Sequence, residues 1–559
     1  MLKKQIKEVS LTIGGDRMKL EKPWYRQYPE TLSPDMEFPV KTMPEILKET
    51  VDQIPENIAI KFYTKEIRYK ELWSLSTMFA ASLQQSGVTK GDRVAIMLPN
   101  CPQYIISYYG ILRAGAIVTQ VNPMYLEKEL LHVLNDSGAE TIVVYEPLYP
   151  RIKAIAHETA LKNIIVVSFQ PENLSLTEDL SFEQFIGKAM NVPLTPVEID
   201  PIEDVAVLQY TGGTTGISKG AMLTHRNISV NVLQAHAFFK EEHTFGEGRC
   251  LTVIPLFHVF GMTSCMNLNI LNGATIILLP RFELEEVLQT IKAEQPTTFP
   301  GVPTMYIALL SHPNVDAYGL DCIQTCNSGS APLPVQTMNT IEAKTGAKIL
   351  EGFGLTESSP VTHCNPPFGI RKPGSVGIGV PGTDYKIVDL STGEQEMPTG
   401  ELGELIIRGP QIMKGYWNMP EETANTLRDG WLYTGDIAKV DEDGYLYIVD
   451  RKKDLIIASG YNVYPRDIEE LLYEHPAVQE AVVIGVPDAY RGETVKAIIV
   501  KKAGHDVTEP DIINWTRERI AAYKVPEFVE FREELPKTIV GKILRRALRE
   551  ENSIASKGS

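Results

Sequence analysis

A run of small and hydroxylated residues directly after an apolar segment constrains this chain most. Residues 210–220 read Tyr-Thr-Gly-Gly-Thr-Thr-Gly-Ile-Ser-Lys-Gly, and residues 205–209 before them read Val-Ala-Val-Leu-Gln. Glycines allow backbone N–H groups to close around a polyphosphate, hydroxyl groups donate further hydrogen bonds, and Lys219 supplies a positive charge. The pattern therefore predicts a phosphate-binding loop that follows a buried strand.

This loop differs from the common nucleotide-binding loop of NTPases. No glycine in it is followed five residues later by Gly-Lys and then Ser or Thr, so a Walker-type NTPase is disfavoured. A flexible surface loop is the alternative interpretation. The density of glycine and hydroxyl residues after a strand-like segment favours phosphate binding instead.

Four further motifs follow the loop along the chain. They are Gly-Phe-Gly-Leu-Thr-Glu-Ser at 352–358, Tyr-Thr-Gly-Asp at 433–436, a charged motif at 450–454 with Ser-Gly-Tyr-Asn-Val-Tyr-Pro at 459–465, and Pro-Lys-Thr-Ile-Val-Gly-Lys at 536–542. With these motifs the chain resembles the adenylate-forming superfamily of acyl-CoA synthetases, luciferases and peptide-synthetase adenylation domains, and most closely the bacterial long-chain fatty-acid CoA ligases. The resemblance extends from Lys22 to Leu548. It is specific because five separate motifs stand in the family's order.

The length and charge of the chain limit its class. At 559 residues it is too long for a single hydrophobic core, so we expect at least two domains. Its formal net charge of −17 argues against a general nucleic-acid-binding protein, which needs a basic face. Its 6 cysteines are scattered, and Cys322 with Cys326 lacks the second pair of a zinc site. Free thiols in a reducing cytosol are therefore expected.

The N-terminal residues lack the apolar core of a signal peptide, and the sequence contains no run of about 18 apolar residues. We therefore predict a cytoplasmic protein that does not span a membrane. Peripheral contact with the inner face of the membrane and a homodimer stay open. Residues 1–20 lie outside the resemblance and receive no function.

The hydrophobic pattern predicts alternating strands and helices in the first half of the chain. Apolar runs rich in β-branched residues predict strands at 93–98, 116–121, 141–145, 164–167 and 275–279, with amphipathic helices at 103–114 and 126–134. This alternation is typical of βαβ units and a mainly parallel sheet. Beyond Val380, shorter strands such as 385–389 and 403–409 and many glycine turns predict a β-rich subdomain.

The predicted fold is α/β, with a large N-terminal domain and a small α+β C-terminal domain that the resemblance implies is mobile. The predicted bounds are 1–20 for an N-terminal extension, 21–449 for the large adenylation domain with the ATP and acyl sites, and 450–559 for the small domain. In the small domain, residues 465–474 predict a helix and residues 481–485 a strand. Residues 377–382 match a dinucleotide-binding pattern, but Pro381 and the extended run after it argue against a nicotinamide site.

The resemblance implies how the large domain would bind MgATP. The phosphate contacts would be Thr211, Gly213, Thr214, Thr215, Lys219 and, beside the α-phosphate, Thr356. The magnesium ligands would be Glu357 and Thr211. The adenosine contacts would be Gly329, Ser330, Ala331, Phe353, Gly354 and Asp436, and Arg451 would contact either the ribose or a phosphate. A hard carboxylate oxygen suits an ion shared with phosphate. In isolation, Glu357 could instead stabilise a helix start, and Asp436 could be a turn residue.

The resemblance also implies two roles for the small domain. Lys542 matches the catalytic lysine that bridges the acyl carboxylate and the α-phosphate. Asp450 marks the hinge about which the domain turns, and Gly460 matches the glycine beside the tunnel for the pantetheine arm of coenzyme A. An ordinary turn glycine is the alternative for Gly460. The basic residues that follow the lysine are interpreted as a solvated helix face, namely Arg545, Arg546 and Arg549.

The substrate is the least determined part of the prediction. Residues 255–261 and 299–306 match the acyl pocket and its gate, but apolar residues there are equally typical of a core. His258 either orients the substrate carboxylate or is a satisfied buried histidine.

Taken together, the residues and the resemblance predict an ATP-dependent, magnesium-requiring CoA ligase for medium- to long-chain fatty acids. The predicted partners are fatty acid, ATP and coenzyme A, with no nucleic acid. The enzymatic alternatives are a coumarate-type aryl-CoA ligase and an acyl-AMP ligase that loads a carrier protein. A silent acyl- or nucleotide-binding protein is the alternative without catalysis.

Overall fold

The computed structural model describes most of the chain. The described residues are 22–33, 36–174, 176, 178–211, 218–331, 333, 335–458, 461–488, 491–538 and 541–555. The predicted N-terminal extension, residues 1–20, and four predicted site residues (Gly213, Thr214, Thr215 and Gly460) lie outside them. In the described part of the chain, no helix combines the length and the apolar character needed to cross a bilayer.

The strands are distributed along the whole described chain. They are β1 (Ile58–Phe62), β2 (Lys65–Arg68), β3 (Arg93–Met97), β4 (Ile117–Gln120), β5 (Thr141–Tyr145), β6 (Asn163–Val167), β7 (Leu180–Ser181), β8 (Val205–Thr211), β9 (Lys219–Thr224), β10 (Arg249–Thr252), β11 (Thr275–Leu278), β12 (Thr325–Ser328), β13 (Lys348–Gly354), β14 (Val361–Cys364), β15 (Ile378–Gly379), β16 (Asp384–Val388), β17 (Gly403–Arg408), β18 (Gly415–Tyr416), β19 (Leu427–Arg428), β20 (Trp431–Val440), β21 (Leu446–Arg451), β22 (Ile456–Ala458), β23 (Tyr461–Val463), β24 (Val478–Asp488), β25 (Gly492–Lys501) and β26 (Phe528–Arg532).

Most of the helices lie between these strands along the chain, and a π-helix spans Gly261–Asn267. The α-helices are α1 (Met43–Gln53), α2 (Tyr69–Gln85), α3 (Pro102–Arg113), α4 (Glu127–Ser137), α5 (Tyr149–Ile155), α6 (Phe182–Gly187), α7 (His225–Phe238), α8 (Leu268–Leu271), α9 (Leu284–Glu294), α10 (Pro303–Ser311), α11 (Val335–Thr345), α12 (Pro420–Thr426), α13 (Pro465–Tyr473), α14 (Glu509–Arg517) and α15 (Arg545–Ala555).

The largest sheet has eight strands in the order β18-β9-β8-β4-β3-β5-β6-β7. The pairs from β8 through β7 are parallel, whereas β9 and β18 join antiparallel. Residues 94–97 of the central β3 are fully buried, which explains why this strand reads as a continuous apolar run. The predicted βαβ units and mainly parallel sheet are confirmed, with α3 and α4 as crossovers within a few residues of the predicted bounds.

Two four-stranded sheets also belong to the large domain. Their orders are β10-β11-β1-β2 and β12-β13-β14-β15. Bridges at Thr298 to Cys250 and to Thr325 connect β10 with β12. The chain leaves β12 into residues 329–331 and leaves β13 into residues 355–358, so neighbouring parallel strands deliver two predicted site segments to the same edge.

A β-rich subdomain follows, as predicted. Strands β16, β17, β20 and β19 form an antiparallel sheet, and β21 pairs with β20. The residues after Gly377 enter strands β15 and β16 rather than a helix, which agrees with the rejection of a dinucleotide site. The pairing of β20 with β21 brings Asp436 opposite Arg451.

The C-terminal part of the described chain has hydrophobic cores of its own. Its five-stranded sheet has the order β23-β22-β25-β24, with β26 beside β25, and α13, α14 and α15 belong to the same part of the chain. Its two buried clusters draw on residues from Ile456 to Leu548, whereas the main core of the large domain draws on residues up to Leu446. The segment between them is therefore where the two cores separate.

Candidate active site

One cavity of about 1690 Å³ contains nearly all of the predicted site residues that the structure describes. Both the large domain and the C-terminal part contribute to its walls. The predicted residues that line it are Thr211, Lys219, His258, Gly329, Ser330, Ala331, Phe353, Gly354, Thr356, Glu357, Asp436, Asp450, Arg451 and Lys542. Residues separated by more than 300 positions along the chain thus meet in one place.

Asp436 is a buried carboxylate with one oxygen left over. Its Oδ1 lies 2.8 Å from Nε of Arg451, its partner across the β20–β21 pair. Within the described residues, Oδ2 is buried and has no hydrogen-bond partner. Burial raises the pKa of Asp436, while the charges of Arg451 and Lys542 act in the opposite direction. A buried acceptor without a donor is costly, so this oxygen suits a ligand hydroxyl group.

Lys542 reaches the cavity from a turn in the C-terminal part. Its backbone N–H donates to Oγ1 of Thr538 at 3.1 Å, and its carbonyl accepts from the N–H of Thr538 at 2.8 Å. The positive charge of Arg451, followed by burial among protein atoms, lowers the pKa of Lys542 to about 8, although its side chain keeps contact with the solvent of the cavity. The Lys542 ammonium is therefore held beside a second cation, as expected at a place built for negative charge.

Gly541 fixes how closely this turn approaches the large domain. Its φ is +73°, and a Cβ added to it would lie 2.7 Å from Oγ1 of Thr304 on α10. Any larger residue there would have to displace the turn. The glycine before Lys542 thus permits the close approach of this turn to α10.

The end of the cavity that the sequence predicts to bind phosphate, here called the phosphate end, is formed by the hairpin of β8 and β9. Thr211 pairs with Lys219 across the two strands, and the Ser218 hydroxyl donates to the Thr211 carbonyl at 2.7 Å. The Lys219 side chain is 12% exposed and forms an ion pair with Glu422 of α12. The strand ends therefore hold a lysine and a threonine at the base of the loop that the sequence predicts to bind phosphate.

Glu357 lies in a short 3-10 turn, Thr356–Ser358, at the edge delivered by β13. Its Oε1 accepts a hydrogen bond from the Tyr416 hydroxyl at 2.7 Å, and its carbonyl accepts from the N–H of Met413 at 2.8 Å. Tyr416 is buried, and burial with the charge of Glu357 raises its pKa. The sequence did not predict this contact, because nothing in residues 413–416 carries a binding pattern.

A magnesium ion fits Glu357 as a ligand only jointly with phosphate. In the described residues, no group of three or more His, Cys, Asp or Glu could hold a metal by itself. Mg²⁺ in proteins commonly uses one or two carboxylates, with phosphate oxygens and water completing the octahedron. One carboxylate at the phosphate end is therefore the arrangement expected for MgATP.

Two further segments line the same cavity, Phe353 and residues 329–331, and this part of it is here called the slot. The ring of Phe353 lies 6.2 Å from the ring of His363. Two buried polar atoms beside this slot have no partner within the described residues, namely Oδ1 of Asn327 and Oγ of Ser328. The sequence prediction missed both, although they directly precede Gly329 at the end of a strand, where ligand contacts concentrate.

His258 lines the cavity as a neutral imidazole. Burial, and then the charge of Lys542, lowers its pKa to about 4. Its Nδ1 accepts from the N–H of Phe260 at 3.2 Å, so the neutral ring carries its proton on Nε2. The neighbouring walls are largely apolar and include Phe239, Phe257, Val259, Phe260, Leu268 and Ile307.

The predicted hinge carboxylate is enclosed by the C-terminal part. Asp450 Oδ2 accepts from the N–H of Arg466 at 3.0 Å, and Oδ1 lies 3.4 Å from Nη1 of Arg545. Burial raises the pKa of Asp450 to about 6, against the charge of Arg545. Arg545 also pairs with Glu469 of α13 and with Asp454.

The interpretation of the terminal arginines as a solvated face is correct for only one of the three. Arg546 is exposed and pairs with Glu550 one turn along the helix. Arg545 is 20% exposed and serves three carboxylates, and Arg549 donates to the carbonyls of Lys453 and Asp454 at 3.1 and 3.0 Å. Charge pattern alone could not distinguish them, because their partners come from distant parts of the sequence.

The described residues of β22 and β23 do not line this cavity. Ala458 ends β22 and Tyr461 begins β23, and neither is among the lining residues. Tyr461 is 57% exposed and stacks on Tyr523 at 4.7 Å. In this arrangement Lys542 therefore lines the cavity, whereas Ile456–Ala458 and Tyr461–Val463 do not.

Comparisons with known proteins agree with this architecture. The model of the AMP-binding enzyme family matches residues 47–417, and that of the AMP-binding enzyme C-terminal domain matches residues 467–542. The chain is 47% identical over 556 residues to a long-chain-fatty-acid--CoA ligase of Bacillus subtilis (strain 168), covering 96% of this chain and 99% of that protein. It is 37% identical over 559 residues to the ligase of the same name from Escherichia coli O6:H1, covering 95% and 98%.

A solved structure has the same arrangement of domains. The crystal structure of an anthranilate CoA ligase in complex with anthranoyl-AMP superimposes with a TM-score of 0.85 and 30% identity, covering 93% of this chain and 100% of that one. The α/β fold with a large N-terminal and a small C-terminal domain is thereby confirmed.

Proposed function

We propose that this chain, which belongs to the AMP-binding enzyme family, is a long-chain fatty-acid CoA ligase. Two relatives of that name match it over almost the full length of both chains. The reaction uses ATP, Mg²⁺ and coenzyme A. The fatty-acid carboxylate displaces pyrophosphate from the α-phosphate of ATP to give acyl-AMP, and the thiol of coenzyme A then displaces AMP to give acyl-CoA.

One observation carries the assignment of roles: Lys542 lies in the cavity together with Asp436, Arg451, Lys219 and Glu357. Attack by a carboxylate on a phosphate brings two negative groups together, so catalysis needs cations and fixed positions rather than a nucleophilic side chain. The ammonium of Lys542 would neutralise charge on both reactants. Its lowered pKa reflects neighbouring positive charge, which attracts the anionic reactants.

The nucleotide would lie with its adenosine in the slot and its phosphates toward β8 and β9. The free Oδ2 of Asp436 supports a contact with a ribose hydroxyl group, and Arg451 would hold the carboxylate in place. Phe353 and residues 329–331 would enclose the adenine. Thr211 and Lys219 would bind the outer phosphates at the base of the loop.

When bound, Mg²⁺ would supply positive charge shared between the phosphate oxygens. Glu357 is the residue that would hold it, with Thr211 close to the same phosphates. The Tyr416 hydroxyl keeps one oxygen of Glu357 oriented at 2.7 Å. Thr356 would lie beside the α-phosphate.

The second half-reaction would use a different arrangement of the small domain. We place the hinge at Asp450 and the domain bounds at 21–449 and 450–559, which the separation of the hydrophobic cores supports. Rotation would withdraw Lys542 and bring the hairpin of residues 456–463 to the cavity. Gly460 would then leave room for the pantetheine arm.

The apolar walls near His258 support an acyl substrate. His258 is neutral and presents an N–H, so it can donate to a carboxylate oxygen without a charge of its own. We propose a medium- to long-chain fatty acid as substrate, and the names of the two relatives support a long chain. Measuring pyrophosphate release across a chain-length series of fatty acids, with coumarate and benzoate as comparison substrates, tests this preference. Cytoplasmic location, a homodimer and contact with the inner face of the membrane remain predictions.

Two variants test the division of labour between the half-reactions. Lys542→Ala should lose fatty-acid-dependent pyrophosphate release by about 100-fold or more, yet convert supplied acyl-AMP and coenzyme A to acyl-CoA. Gly460→Leu should keep acyl-AMP formation nearly intact but lose thioester formation, because a bulky side chain would block the thiol of coenzyme A. It should release one pyrophosphate per active site and then stop.

Both outcomes can fail in a recognisable way. Equal loss of both half-reactions in Lys542→Ala would contradict its assignment to adenylation. Unchanged turnover in Gly460→Leu would mean that the thiol enters elsewhere, and turnover restored by high coenzyme A would indicate weakened binding only.

A further inference from the structure

Two side chains with proposed roles in binding MgATP already have partners in this structure. The Lys219 ammonium pairs with the Glu422 carboxylate, and Glu357 accepts from the Tyr416 hydroxyl. Both partners belong to one short segment, residues 415–426. This segment therefore contacts the lysine and the carboxylate of the phosphate end at the same time.

The segment is fixed against the strand that carries Lys219. Strand β18 pairs with β9, with Tyr416 opposite Ala221, and the N–H of Trp417 donates to the carbonyl of Gly220 at 2.8 Å. Its continuation is held by the hydroxyl of Thr423 on α12, which accepts from the N–H of Tyr416 at 2.9 Å. Glu422 is consequently presented to Lys219 by a braced element rather than by a free loop.

The two members of the ion pair differ in their freedom. The Lys219 side chain is 12% exposed and lies over the Tyr416 ring at 5.3 Å, whereas the Glu422 side chain is 39% exposed. A largely buried ammonium needs a nearby anion, but a half-exposed carboxylate can turn toward water at little cost. The pair can therefore open by movement of Glu422 alone.

We propose that Glu422 is a positioning residue that stands in for the polyphosphate: it holds the Lys219 ammonium in the empty site, yields it to the outer phosphates of ATP, and takes it back as pyrophosphate leaves. This inference rests on the proposed function, in which Lys219 binds those phosphates. A carboxylate beside bound phosphate is repelled by it, so the exchange also favours product release.

The exchange has a defined thermodynamic consequence. ATP and pyrophosphate must each break the same ion pair before they contact Lys219, so Glu422 weakens both affinities by a similar factor. A partly exposed pair of this kind corresponds to a factor of about three to five. AMP lacks the outer phosphates, and its affinity should not depend on Glu422.

The test compares Glu422→Gln with Glu421→Gln. Glu421 is the exposed neighbour on the first turn of α12, so its substitution removes the same charge one position away. Titration calorimetry on the full-length protein would measure the dissociation constants for pyrophosphate, MgATP and AMP. We expect Glu422→Gln to bind pyrophosphate and MgATP about three- to fivefold more tightly, with AMP unchanged and Glu421→Gln unchanged for all three.

Steady-state kinetics provides a second readout. Glu422→Gln should lower the KM for ATP and increase inhibition by added pyrophosphate. Glu422→Asp keeps the charge on a shorter side chain, so its KM for ATP and its inhibition by pyrophosphate should lie between those of the wild type and Glu422→Gln. A merely structural role of Glu422 would not separate pyrophosphate from AMP.

Several results would overturn the inference. Weaker binding of MgATP by Glu422→Gln would make Glu422 a ligand of the nucleotide or its metal. Equal tightening in Glu421→Gln, or equal tightening for AMP, would reduce the effect to general charge. If the unmodified protein bound neither MgATP nor pyrophosphate, the proposed function would fall as well, whereas normal binding with an unchanged Glu422→Gln would refute this inference alone.

Discussion

The pH dependence of adenylation should report the charge of Lys542. Arg451, and then burial, lowers the pKa of this ammonium to about 8 in the protein without ligands. The pKa is lowered, so the charged form is complete well below pH 8 and is lost as the pH rises through that value. The charged fraction should fall from ~90% at pH 7 to ~10% at pH 9.

The loss of the ammonium should appear in kcat/KM, because this ratio reports ionisation of the free enzyme. If adenylation requires charged Lys542, kcat/KM for fatty-acid-dependent pyrophosphate release should fall about tenfold for each pH unit above 8. The assay is pyrophosphate release between about pH 6 and pH 10, with MgATP and fatty acid both held well below their KM values, so that the rate reports the enzyme without ligands.

Substitution of the neighbouring cations should move this fall in a graded way. Arg451→Gln removes the largest cause of the lowered pKa, so the fall should shift to higher pH, toward the ordinary lysine value of 10.5. Lys453→Gln removes a weaker contribution of the same sign and should shift it less. Arg451→Gln also loses the contact with Asp436, so the position of the fall, not the overall rate, is the quantity to compare.

The thioester half-reaction is the internal control. With supplied acyl-AMP and coenzyme A it should not fall with pH in this range, because it does not use Lys542 and because the attacking thiol deprotonates as the pH rises. An alkaline fall at the same pH in wild type and Arg451→Gln would refute the reasoning. So would an equal fall in the thioester half-reaction.

Two structural predictions accompany this one. Gly541→Ala should reduce pyrophosphate release at least about tenfold, because its Cβ would lie 2.7 Å from Oγ1 of Thr304 and displace Lys542. Gly504→Ala is the control, since Gly504 shares the positive φ but a Cβ there meets no atom within 4 Å. Equal rates of pyrophosphate release in the two variants would contradict a role for the contact between Gly541 and Thr304. Arg545→Met should destabilise the C-terminal part by about 3–5 kcal/mol in denaturant unfolding, because it leaves buried carboxylates unpaired, whereas Arg546→Met on the exposed side should change stability by less than about 0.5 kcal/mol. Similar effects of the two arginine variants would show that the Arg545 pairs contribute little.

The sequence by itself determined the class of fold and predicted many of the residues that line the cavity. Buried strands of a parallel sheet are apolar on both faces. A run such as residues 93–97 can therefore be recognised as a strand before its neighbours in the sheet are known. A loop that closes on phosphate needs glycines, hydroxyl groups and a cation close together in the chain, so that motif is readable too. Local pattern and resemblance therefore predicted Thr211, Lys219, Glu357, Asp436 and Lys542 as site residues, and all five line one cavity.

Only the tertiary structure decided how these residues are held. The partners of Lys219, Glu357 and Arg545 lie 203, 59 and 76 positions away along the chain, and no local pattern marks them. Arg545 and Arg546 are adjacent in sequence, yet one is enclosed by carboxylates and the other faces water, because the helix turns them by about 100° relative to each other.

The same limit applies to burial of single atoms. Within the described residues, Oδ2 of Asp436, Oδ1 of Asn327 and Oγ of Ser328 are buried and have no hydrogen-bond partner. These atoms belong to β20 and β12, two strands of different sheets that line the same cavity. The hydrophobic periodicity of the sequence indicates which face of a helix or strand is buried, because residues on the same face lie only two to four positions apart in the sequence. Which distant group meets a given side chain depends on sheet order and domain packing, and these are fixed only when the whole chain has folded.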